Sequence, residues 1–137
     1  MPKQLQFRFS TRELSAGVRR ALLAQPQQAR RAMTDVKNLL VMETKKRTPV
    51  REGHLTASIA GEVVQQPKSW AATVFVPVNS PAAAYAVWLH EGQYNLGENS
   101  TAKQAKTGCA VGPKYITRAV EDNGGRILRM IQEALKK

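Results

Sequence analysis

Cysteine is all but missing from this sequence: Cys109 is the only one in 137 residues. That rules out a disulfide within the chain and gives no reason to expect an oxidising compartment. A reducing cytosol is the expected setting. Histidine is almost as scarce. His54 and His90 stand 36 residues apart, and adding Cys109 does not produce the close or paired ligand spacing of a zinc site. Long apolar runs are missing too, since the longest, residues 82–89, falls far short of the roughly 18–20 residues that span a bilayer. Residues 1–10 carry Lys3 and Arg8 but no apolar stretch of signal-peptide length. Neither membrane embedding nor secretion by that route is expected.

Catalytic constellations are equally sparse. A Ser-His-Asp system needs a histidine with an oriented carboxylate, and Asp35 and Asp122 both fall in helical contexts. His90 and Glu91 are adjacent, and neighbours on a helix do not face each other, so they read as a polar helix end rather than an acid–base pair. Gly108 and Gly112 bracket a segment without the Lys-Ser/Thr of a phosphate cradle. Cys109 has Lys106 and Lys114 nearby in sequence, a setting in which a thiol can become reactive, but a passive thiol is the plainer reading. The chain therefore reads as a non-enzyme, with no catalytic residue, cofactor or metal ligand to name.

What is abundant is positive charge. The sequence holds 21 Lys+Arg against 10 Asp+Glu, formally +11, which favours polyanions or acidic partner surfaces. The excess sits at the ends: residues 1–51 carry 12 basic and 3 acidic side chains (+9), residues 52–100 carry 1 and 4 (−3), and residues 101–137 carry 8 and 3 (+5). Arg19, Arg20, Arg30, Arg31 and Lys37 lie on helical segments, where they form a solvated face, contact phosphates, or meet a neighbour's acidic residues. No base-reading motif accompanies them. Trp70, Phe75, Tyr85, Trp88 and Tyr115 stand in apolar or strand contexts, so core or subunit contact is expected of them rather than base stacking.

The length suits one domain over residues 1–137. Ser10 and Glu13 have capping-box spacing before Leu14, Val18 and Leu22, predicting a helix over about 11–24. A second helix restarts at Pro26 and runs to about Arg47, with Ala29, Ala32, Met33, Val36, Leu39 and Leu40 as its apolar stripe and Pro49 as its stop. Two β-rich stretches, 59–65 and 70–78, flank a hairpin loop at 66–69, and Trp70, Ala72, Val74, Val76 and Val78 are expected on one face. Asn79 and Ser80 resemble a cap for an apolar helix to about His90, ended by Gly92. Residues 92–112 are polar and without clear period, which predicts a flexible interaction loop. A C-terminal helical region starts at Pro113 and is interrupted or bent at Asn123-Gly124-Gly125. The order predicts an α+β fold, with N-terminal helices and a C-terminal helix packed on a small antiparallel sheet.

Three segments, in order, resemble the neck or tail-completion family of long-tailed bacteriophages, whose members are also described as tail-component or minor tail proteins. The first, residues 45–59, has a basic helix end, Pro49-Val50, Gly53, Leu55 and a closing Ser58-Ile59. The second, residues 85–92, is similar to the family's Tyr-Ala-x-x-Val-Glu-x-Gly element, here with Tyr85, Glu91 and Gly92. The third, residues 112–120, is similar to Pro-x-Phe-Leu-Arg-Pro-Ala-Leu, with Pro113 and with Tyr115 in place of Phe. The resemblance implies a structural virion protein: a homo-oligomeric ring of about six or twelve copies at the head–tail junction or upper tail end. Its implied partners are neighbouring neck, connector and tail proteins, with nonspecific contact to packaged DNA and no membrane, and assembly in the host cytoplasm. It implies no catalytic residues. The alternatives are a nonspecific nucleic-acid-binding protein and, third, a small nuclease or toxin.

Overall fold

A computed structural model of the chain describes residues 5–49, 54–80, 82–92 and 97–135. Its fold is α+β. In chain order it runs β1 (Gln6–Ser10), a 3₁₀ turn (Thr11–Glu13), α1 (Ala16–Ala24), α2 (Pro26–Arg47), α3 (His54–Ser58), β2 (Ala60–Gln66), β3 (Ser69–Phe75), α4 (Ala83–Glu91), α5 (Glu98–Thr107), α6 (Tyr115–Asp122) and α7 (Gly124–Leu135). The three strands form one antiparallel sheet in the order β1-β3-β2.

α2 is the organising element because one flank of it is apolar at helical spacing. Ala29, Ala32, Met33, Val36, Leu39 and Leu40 are all buried, and each large side chain among them contributes about 1.5–3 kcal/mol by leaving water. β2 and β3 pack against α2, as do α6 and α7. The sheet presents Phe7, Phe9, Val63, Trp70, Ala72 and Val74 to this core. Successive strand residues alternate faces, so the row Arg8, Thr73, Glu62, matched across the three strands, lies on the outer face. Gly61 of β2 lies against Lys37 and Val41 of α2. A Cβ there would lie 2.7 Å from Val41 Cγ2 and 2.8 Å from the Lys37 side chain, so only glycine lets the helix settle at that distance.

Several expectations hold to within a residue or two, among them the span of α2, the β2–β3 hairpin turning at Pro67-Lys68, and the break at Asn123 between α6 and α7. Others need correction. The helix expected over 11–24 is split: Ser10 accepts from Arg12 N at 3.2 Å and caps the 3₁₀ turn, while Ser15 caps α1 by accepting from Val18 N at 3.4 Å. β1 occupies a segment for which no strand was anticipated, tied in by Trp70 N donating to Thr11 Oγ1 at 2.9 Å. Val78 leaves the β3 face and is exposed. The N-cap of α4 is Ala82, with no side-chain cap; Ser80 Oγ instead donates to Pro77 O at 2.8 Å.

The segment 92–112, expected to be a loop, contains the ten-residue helix α5. Its apolar residues are Ala102 and Ala105 alone, too few to show a helical period. Gly108 ends it in the left-handed conformation at φ 72°, with its N–H donating to Gln104 O at 3.0 Å, a cap that favours glycine.

Candidate functional site

The three segments that carry the family resemblance converge in space. Gly112 N donates to Arg47 O at 3.0 Å, Lys114 N donates to His90 O at 2.6 Å, and Tyr115 Oη donates to Ala86 O at 2.7 Å. Tyr115 is buried, and the His90 ring meets it edge-on with centroids 4.8 Å apart. Arg47, itself buried, closes the group from α2. Its Nη2 and Nε reach Asp122 Oδ2 at 3.0 and 3.3 Å, and Nη1 donates to Glu43 O at 2.8 Å. Leu55 is buried, Gly92 caps α4, and Pro49 follows the end of α2. Tyr85 and Glu91 are exposed, Pro113 and Ser58 half-buried. Val50 and Gly53 lie outside the described residues.

His90 and Glu91 do meet, contrary to the expectation from helix geometry. At the last turn of α4 His90 Nδ1 lies 3.0 Å from Glu91 Oε1, and Glu91 also pairs with the Lys114 ammonium. Burial lowers the pKa of His90, with Lys114 and Arg118 adding to that and Glu91 opposing it; the pairing with Lys114 lowers that of Glu91. His90 Nε2 is buried without a hydrogen-bond partner among the described residues. The pair is thus a joint between α4 and α6. The Cys109 sulfur, half-buried, lies 3.7 Å from Thr107 O.

The five basic residues singled out in the sequence do not form one surface. Arg19 and Arg20 are exposed on α1. Arg30 lies over the Trp70 ring at 6.0 Å, a cation–π contact, on the flank of α2 beside β2. Lys37, seven residues on, occupies the same flank, because seven residues make nearly two turns. Arg31 lines two hollows, one shared with Arg30, Gln65 and Trp70, the other with Asp35 and with Met130 and Glu133 of α7.

The flank carrying Arg30 and Lys37 continues to a feature not visible in the sequence, a groove of about 580 Å³ between α2, the start of β2, and α5. Its wall includes Lys37, Lys45, Lys46 and Lys103; its apolar surface is Val41, Met42 and Gly61. Lys46 pairs with Glu43 at 2.7 Å. Among the described residues Lys37 and Lys45 are in no ion pair. Lys103 is turned inward: its ammonium donates to Lys45 O, to Thr48 O and Thr48 Oγ1 (both 2.9 Å), and to Thr56 Oγ1 at 3.3 Å. A cation thereby caps the negative end of α2 and fastens α5 beside it. Burial pulls the pKa of Lys103 down to about 8. Sequence alone does not single out Lys45, Lys46 and Lys103, because the first two have the place of helix-end cations and the third falls in an expected loop.

The aromatic side chains divide. Trp70 and Tyr115 are core residues, as expected, whereas Trp88 is 61% exposed on α4 beside the partly exposed Tyr85 and Val87. No charged residue occurs between Lys68 and Glu91. No helix among the described residues is long and apolar enough to cross a membrane. No protein-family model, curated protein or solved structure matches the chain.

Proposed function

We propose that the protein is a structural subunit of a tailed-phage virion, one copy in a ring at the head–tail junction or upper tail end, around the passage for DNA. The observation that carries this reading is the meeting of the three family-like segments at Arg47, His90 and Tyr115. Residues that resemble the family pattern act here as a framework, joining α2, α4 and α6, and that is the role such a pattern has in a building block. The surface suits the same role. A protein of charge +11 repels copies of itself across any basic face. The exposed side of α4, from a charge-free stretch and carrying Trp88, Val87 and Tyr85, is where copies can approach without that repulsion and cover apolar side chains left to solvent. The basic flank of α2 and the arginines of α1 are then left for acidic neighbours or the DNA in the channel. No catalytic step is assigned.

Negative-stain imaging of the purified protein mixed with isolated tail tubes, at low and moderate salt, tests the proposal. Rings, or a cap at one tube end, are the expected result. Protein that ignores tubes and binds duplex DNA with an affinity falling steeply as salt rises would replace it with the nonspecific nucleic-acid reading, to which exposed Arg19, Arg20, Arg30 and Arg31 also lend themselves.

A further inference from the structure

We infer that the lysine-lined groove between α2 and α5 is a binding site for a short acidic segment of a partner protein in extended conformation. Its wall offers the Lys37 and Lys45 ammonium groups, with Lys46 beside them paired to Glu43, and among the described residues that line it there is no carboxylate, over an apolar surface in which Met42 is 45% exposed. Charge of one sign around an apolar centre asks for carboxylates flanking an apolar side chain. The spacing agrees. Lys37 and Lys45 are eight residues apart, about 12 Å along the helix, and residues i and i+4 of an extended chain lie on one face about 13 Å apart. A Glu-x-Leu-x-Glu segment therefore sets both carboxylates against the two lysines and its leucine against Val41 and Met42.

Two further features favour a peptide over nucleic acid. Among the described residues the groove wall contains no aromatic side chain, and single-stranded nucleic acid is held by aromatic stacking as well as by charge. Among the described residues β2 is an edge strand, paired with β3 alone, and Gly61 near its start forms part of the groove, so an extended chain lying here runs beside an edge able to pair with it. The far wall is already in place, since α5 is fastened to the end of α2 by Lys103. This site is independent of ring formation: a monomer would have it too.

The test is fluorescence anisotropy at about 0.15 M salt with the full chain and a labelled peptide, Ser-Glu-Ser-Leu-Ser-Glu-Ser. Comparison probes are the same peptide with serine for leucine and a short single-stranded DNA. The leucine peptide is expected to bind more tightly than either. Lys37→Glu with Lys45→Glu is expected to weaken it about tenfold or more, and Arg19→Glu with Arg20→Glu, the same change of net charge on α1, about twofold or less. Lys37→Gln with Lys45→Gln provides the milder pair should the double reversal disturb folding, with a loss in the same order. The inference is overturned if the leucine peptide does not bind, if both charge reversals weaken it equally, or if the DNA is the tighter ligand and depends on Lys37 and Lys45.

Discussion

Arg47 stands at the end of α2, where a cation is expected to face the helix dipole in water. Instead it is buried and joins α2 to Asp122, 75 residues away. Nothing local in the sequence distinguishes it from Lys45 and Lys46, because its partner is brought to it only by the packing of α6. Arg47→Ala is expected to cost about 2 kcal/mol, less than a fully buried pair because Asp122 is more than half exposed. Urea denaturation midpoints measure it. His90 makes a second residue-scale prediction. Its folded pKa is depressed, chiefly by burial, with Lys114 and Arg118 in the same direction and Glu91 opposing; the Tyr115 ring covers its edge. Below pH about 6.5 the unfolded chain takes up a proton that the folded one resists. The stability His90 confers is therefore present above that pH and is lost as pH falls through the folded pKa. Midpoints at pH 7.5 and pH 5 are expected to differ more for the wild type than for His90→Gln, and equal differences would mean that His90 is not the group responsible.

At the scale of elements, legibility follows the strength of the apolar period. α2 repeats its apolar positions over about three turns, from Ala29 to Leu40, and is readable almost to the residue. α6 and α7 carry a similar signal, with Asn123 marking their break. β1 was readable in principle, since Phe7 and Phe9 alternate with Gln6 and Arg8, but five residues at the chain start carry little weight until the pairing with β3 is seen. α5 was not readable as a helix. Its stability comes from Lys103 on the carbonyls of α2 and from Gln104 Oε1 accepting from Val111 N at 3.0 Å, contacts without periodicity. Lys103→Met is accordingly expected to leave the fold intact while amide exchange across residues 98–107 accelerates by about tenfold or more, the mark of an element that opens locally. Unchanged exchange would show that α5 is held by other contacts. Gly61, one glycine among nine in the sequence, lets α2 approach the sheet. Gly61→Val is expected to destabilise by about 1–3 kcal/mol, the cost of overpacking, read from thermal or urea midpoints.

For the whole molecule, the order of the elements is legible in the sequence and gives the fold class, and composition gives the net charge, while the distribution of that charge over the surface emerges only from three-dimensional placement. The five basic residues noted in the sequence are divided between α1 and α2, and the lysine groove unites residues 37, 45 and 46 of α2 with residue 103 of α5. The face of α4 is the complementary case: an apolar run that suggested a core helix leaves Trp88 exposed. If copies of the chain meet there, a single charge should prevent it. The direct measurement is the particle mass of the purified protein over a range of concentrations, with and without tail tubes, for wild type and Trp88→Asp. A discrete species of about six or twelve copies that Trp88→Asp converts to monomer is the predicted result. A wild type that stays monomeric at every concentration, tubes included, would contradict the ring account.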